Sequence, residues 1–190
     1  MQTNNYIFAF KLLLITLTIA VSSTQTLLAQ DNPKQFQAYT DLSSPVAREI
    51  LWLARIVYSE SKLSQEQIVV AWVVRNRVKS QFRGATSYEG VARDPNQFSG
   101  LTPGDNQYQI NTKLDYGDIK NNSWQNSIEI ARAVYFADES LNPIAPTVRH
   151  FYSPISVIKD PKWVANKKPV LVMRDPETSF IRFAFYEGIR

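Results

Sequence analysis

Seven consecutive residues, Ile68-Val-Val-Ala-Trp-Val-Val74, offer water no polar side. A helix that is apolar all round has to sit in the middle of a core, with other elements packed around it. A buried strand is the alternative for so short a run. Two signals favour a helix. Ser64 is a candidate start, with Gln67 three residues later in a capping-box arrangement. The segment also continues at helical spacing through Arg75-Asn76-Arg77-Val78. Whatever this chain folds into must therefore be built around residues 64 to 78.

The chain has 190 residues and no cysteine, so no disulfide, thiolate nucleophile or cysteine-bound metal is open to it. Lys11 is the only charged side chain before Asp31; an apolar run from Leu12 to Val21 follows it, and Ala29 offers a small residue for cleavage. Residues 1 to 29 read as an export signal, too short for a comfortable membrane span, with an uncleaved anchor as the other reading. The expected mature chain of about 160 residues suffices for one domain with a real core. Without Lys11 it carries 20 basic and 17 acidic side chains, a formal charge of +3. That mild, scattered excess suits an anionic cell envelope and does not make a nucleic-acid footprint. The expected location is the periplasm, cell wall or exterior, with no firm membrane association after signal cleavage and no protein partner.

Residues 30 to 43 are polar and read as a linker or arm; the domain is expected over 44 to 190. Ser44-Pro45 is a helix start, since proline at the first helical position loses no useful donor. That helix should reach about Ser61. Residues 80 to 121 are rich in glycine and proline, with one short helix expected near Ser87 to Arg93; a long irregular stretch in a compact domain is more often functional than idle. Ser123 is read as the cap of a further helix, with Trp124, Ile128, Ala131 and Tyr135 on one face. Segments 148–152, 169–173 and 179–186 look like short strands.

Glu60 is the residue that points to chemistry. Val46, Ile50, Leu53 and Val57 recur at helical spacing, and Glu60 lies seven residues after Leu53, on nearly the same face. A carboxylate ending such a stripe would be desolvated and its pKa raised, as a general acid near neutral pH requires. The structural alternative is an acid at the helix end, in solvent or paired with Lys62 or an arginine.

Leu53-Ala-Arg-Ile-Val-Tyr-Ser-Glu60, followed by Ile68 to Val78 with Asn76-Arg77, resembles the SleB-type cell wall hydrolases. Asn96-Gln97-Phe98-Ser99, His150-Phe151-Tyr152-Ser153-Pro154 with Trp163, and Phe183-Ala-Phe185-Tyr186 follow in the family's order, so the resemblance covers about Leu51 to Tyr186. It implies an α+β, mainly α fold: a lysozyme-like helical domain with a small antiparallel sheet near the C-terminus, acting on the glycan strands of peptidoglycan without a cofactor or metal. It also implies that Glu60 is the catalytic acid, at the first glutamate of a Glu-Ala-Arg-Gly-Glu motif. Here that motif reads Glu60-Ser-Lys-Leu-Ser64, and the family's late histidine is replaced by Phe183.

A lytic transglycosylase needs only one carboxyl group, whereas ordinary glycosidases use two. Glu60 would cleave between N-acetylmuramic acid and N-acetylglucosamine; a muramidase would need a second carboxylate or a positioned water. Asp94, Asp105, Asp115 and Asp118 are candidates for that role, with turn acids as their ordinary reading. Gln97 could bind an acetamido group or satisfy loop backbone. Tyr58, Phe98, Tyr152 and Tyr186 could stack on sugar rings or fill the core, and Trp163 is equally open. Asn76, four after Trp72, is read as structural near the site, and His150 as structural on its strand. One histidine and no cysteine cannot make the usual zinc site, and no Gly-x-Ser-x-Gly elbow is present. The rival reading is a glycan-binding envelope module on the same fold, motivated by the lost second acid and histidine.

Overall fold

The computed structural model describes residues 41–189. The signal reading of residues 1–29, and most of the arm, fall outside that range. Five α-helices are described: α1 (Pro45–Glu60), α2 (Ser64–Lys79), α3 (Tyr88–Ala92), α4 (Tyr108–Lys113) and α5 (Asn122–Phe136). Three strands follow: β1 (Val148–Tyr152), β2 (Leu171–Arg174) and β3 (Ile181–Glu187). The architecture is α+β and mainly α.

α2 is the central helix expected from its composition. Ile68 through Arg77 are all buried, and α1, α3, α5 and β1 pack around it. Its start differs from the capping-box reading. Leu63 occupies the N-cap position and no side chain caps the helix. The Ser64 hydroxyl instead accepts from Asn126 Nδ2 at 3.1 Å. Gln67, fully buried, donates to the Ser61 carbonyl at 2.7 Å and the Ser127 hydroxyl at 2.8 Å. Burial so deep made Gln67 a tertiary strut, because a buried amide must be hydrogen-bonded. Ser44 precedes α1 with Pro45 at its first position, but it too makes no side-chain cap. The cap of α5 is Asn121, which accepts from Trp124 N at 3.0 Å, so Ser123 lies inside the helix. Ser87 does cap α3, accepting from Gly90 N at 2.9 Å. The loop-rich stretch 80–121 also holds α4, which the glycines around it concealed.

The sheet runs in the order β1-β3-β2, antiparallel throughout. Alternation along β3 gives it two faces. Phe183 and Phe185 join the helical core, while Ala184 and Tyr186 pack on the opposite side with Tyr152 and Trp163. Between Val148 and His150 the register with β3 shifts by one residue, leaving Arg149 as the extra residue of a bulge. Bulges redirect neighbouring side chains, and this one lies beside the cavity described next.

Candidate active site

α1 ends at Glu60, where the apolar stripe Ile50, Leu53, Val57 reaches the floor of a cavity of about 530 Å³, a size typical of small-ligand sites. Glu60 forms no salt bridge among the described residues. Lys62, the nearby cation that could have paired with it, donates to the Tyr58 carbonyl and lies 3.1 Å from the Tyr58 ring centroid. Burial therefore governs the Glu60 carboxyl and pushes its pKa up to about 7, with the Arg77 charge pulling the other way. The residue is partly accessible and lines the cavity. Among the described residues, Glu60 is the only acidic one on the cavity wall.

α2 supplies the next part of the site. Asn76, 2 % exposed, donates to the carbonyls of Ala145 (3.1 Å) and Val148 (3.0 Å) and accepts from Asn142 Nδ2 at 3.1 Å. Three bonds from one amide fix the chain entering β1. The neighbouring Arg77 lines the cavity, and its Nε donates to the Arg149 carbonyl at 2.7 Å. The bulged β1 then presents His150 and Tyr152 to the cavity. His150 packs edge-on against Phe82 at 5.0 Å and beside Trp163 at 5.3 Å. Burial first, and then Arg77, Arg149 and Arg83, push its pKa down to about 4, so it is neutral at physiological pH.

The loop after α3 closes another side. Asn96 adopts a left-handed conformation (φ 62°) that asparagine tolerates better than most residues. Asn96, Gln97 and Ser99 face the cavity, whereas Phe98 points away. Phe98 is 1 % exposed and packs near Phe151, so it is a core residue and not a sugar platform. Two further candidate aromatics also lie off this wall. Tyr58 lies against Trp124, its hydroxyl accepting from Asn121 at 3.1 Å, away from the cavity. Tyr186, 5 % exposed, backs Tyr152 and Trp163 without lining the wall. Tyr152 and Trp163 are the aromatics of that trio which reach the cavity.

The four aspartates have other roles. Asp94 pairs with Arg83 at 3.3 Å. Asp105, Asp115 and Asp118 accept backbone N–H groups within two or three residues, as turn acids do. Sequence reasoning missed Arg83, Phe82 and Asn96 as cavity residues and assigned His150 a structural place. For Arg77 there was a signal, since a guanidinium following an all-apolar helical run must find a special environment. The others come together only through loop and sheet geometry.

The class this fold and site define is a mainly helical α+β domain with one desolvated carboxylic acid in a cleft of aromatic, amide and cationic side chains. Among known families, the chain belongs to the cell wall hydrolases: the family described as Cell Wall Hydrolase matches residues 59–180. The match starts one residue before Glu60, takes in α2, the loop region, α5, β1 and β2, and stops before β3. Membership places the protein among hydrolases of the peptidoglycan wall. No curated protein and no solved structure matches the chain.

Proposed function

We propose that the protein cleaves peptidoglycan glycan strands between N-acetylmuramic acid and N-acetylglucosamine as a lytic transglycosylase, with Glu60 as its single catalytic acid and base. The observation that carries this reading is the solitary, desolvated carboxyl group on the cavity wall. With a pKa of about 7, close to half of it is protonated at neutral pH, and that form can give its proton to a leaving group. Protonation of the glycosidic oxygen by Glu60 breaks the bond from muramic C1 to that oxygen. The carboxylate so formed takes the proton from the muramic C6 hydroxyl as O6 bonds to C1. A 1,6-anhydro ring closes, the acid is regenerated and no water is consumed.

Hydrolysis by two carboxyl groups needs a partner about 5 to 10 Å from the first. Two acids touch wall residues, Asp94 through Arg83 at 3.3 Å and Asp160 through the Tyr152 hydroxyl at 3.0 Å, and neither lines the wall itself. Gln97 and Asn96 are suited to hold the acetamido groups of the sugars, because amides read amides without altering the charge of the site. Tyr152 and Trp163 supply stacking surfaces at the opposite wall.

The test is a digest of purified peptidoglycan by the wild type and Glu60→Gln, with products read by mass spectrometry. Fragments one water lighter than hydrolysis products, released by the wild type alone, are expected. Fully hydrated fragments would replace this mechanism with a muramidase. Binding without any cleavage would favour the glycan-binding module.

A further inference from the structure

One end of the cavity carries more positive charge than the protein neutralises. Arg77 is 4 % exposed and lines the wall, yet it forms no salt bridge among the described residues. Its Nε is committed to the Arg149 carbonyl, and its buried Nη1 has no acceptor at all. Arg83 lines the same cavity from nearer the surface, its side chain half-exposed. Arg149 lies 5.2 Å from the Phe82 ring centroid and Arg77 lies 5.7 Å from it, so two guanidinium groups flank one cavity-wall ring. Among the described residues, Asp94 is the only acid in ion-pair contact with this group. Neutral His150 adds no charge, and Glu60 is half-protonated or more at and below pH 7.

The charges of Asp94 and Glu60 favour the Arg77 guanidinium from beyond ion-pair distance. A buried guanidinium without a contact counter-ion is costly, and such costs persist where a ligand supplies that contact. The backbone holds a second tension at the same place. Gln81 and Arg83 both have positive φ (49° and 54°), a conformation that disfavours ordinary side chains and presents Arg83 to the cavity. Guanidinium pairs favour planar, two-oxygen anions.

We infer that Arg77 and Arg83 form a carboxylate subsite which reads the free lactyl carboxylate of a muramic acid residue, so that the preferred substrate is glycan stripped of its stem peptides. This rests on the glycan-cleaving reading above. Muramic acid bears its lactyl group on the ring, close to the glycosidic bond. The group is an anion when peptide-free and a neutral amide when a stem peptide is attached. A protein built only for peptide-bearing strands would gain nothing from two guanidinium groups that share one ion-paired acid, Asp94, there.

The experiment uses Glu60→Gln, so that binding is read apart from cleavage, and follows tryptophan fluorescence, since Trp163 lines the cavity. The probes are peptide-free glycan oligomers, the same oligomers with their lactyl carboxylates converted to methylamides, and peptide-bearing oligomers of equal length. The carboxylate form should bind about tenfold or more tighter than the methylamide, as a charge-assisted hydrogen bond implies. Adding Arg83→Gln should cut that ratio to threefold or less while the circular dichroism spectrum is unchanged. Equal binding of carboxylate and methylamide oligomers would overturn the inference. Equally tight binding of peptide-bearing oligomers would also overturn it, moving the contact to a stem-peptide carboxylate. In parallel, wild-type cleavage is measured on the same oligomers. A carboxylate preference in binding with no cleavage would leave the subsite standing and remove the transglycosylase reading instead.

Discussion

Glu60 and His150 face one cavity, and their displaced titrations pull stability in opposite directions. The folded-state pKa of Glu60 is about 7 against an ordinary 4.5, so between those values the folded protein keeps a proton that the unfolded chain has released. Stability from this group therefore falls as pH rises from 4.5 to 7, by on the order of 3 kcal/mol, and is flat above. The His150 value is about 4 against 6.5, so the unfolded chain takes up a proton the folded one refuses. Its contribution is lost as pH falls through 6.5 toward 4. Across pH 4.5 to 6.5 the two slopes offset each other. Urea unfolding midpoints should show it: Glu60→Gln gains stability as pH rises over that window, and His150→Phe loses it. In activity, Glu60→Gln should fall by about 10² to 10⁴, the usual worth of a general acid. Wild-type kcat/KM should fall tenfold per pH unit above about 7 as the acid ionises, which a pH–rate series would check.

The ends of elements hold the site together. Gly100 lies where a side chain would collide: an added Cβ would meet Asn111 Nδ2 at 2.8 Å and Ser59 Cβ at 3.2 Å. Asn111 already donates to the Gly100 carbonyl at 2.9 Å, tying α4 to the segment that carries Ser99. Gly100→Ala should cost about 1 to 3 kcal/mol by overpacking. It should also lower kcat/KM, because the displaced groups adjoin Glu60 and Ser99; denaturation and turnover measured together test both halves. A second tie joins the first turn of α2 to β3. Glu66, 2 % exposed, receives Arg182 Nε at 2.5 Å and the Ser61 hydroxyl at 2.5 Å. Arg182→Met leaves that carboxylate buried with a hydroxyl as its remaining partner, and should destabilise the fold by about 3 kcal/mol in urea titrations. The sequence offered no hint of this pair, since 116 residues separate its members. The same blindness misassigned the caps. Serine hydroxyls at 44, 64 and 123 were eligible, but only tertiary neighbours decide which polar group a helix end uses.

At the scale of the molecule, one helix organises everything else. α2 touches α1, α3 and α5 on its flanks and β1 beyond them, and the aromatic face of β3 joins the same core. Among the described residues the second cluster is only Ala184, Tyr186 and Ile189 with partly buried neighbours, too small to stand alone. Thermal unfolding of this domain should therefore be a single transition, coincident by far-UV and near-UV circular dichroism. Separate melting of the sheet would contradict that. The central place of α2, the extent of α1, the three strands and the desolvated position of Glu60 were all legible in the sequence. They depend on local periodicity and on the cost of burying a charge, and both are properties of a short stretch of chain. Tertiary structure alone decided which aromatics reach the cavity. Phe98, Tyr58 and Tyr186 carry the same chemistry as Tyr152 and Trp163, and the difference between wall and core is one of strand face and loop turn. It also decided that Lys62 turns away from Glu60 while Arg77, Arg83 and His150 gather around the cavity. Residues brought together from a helix, a strained turn and a bulged strand share no sequence period, so only the folded chain could place them side by side.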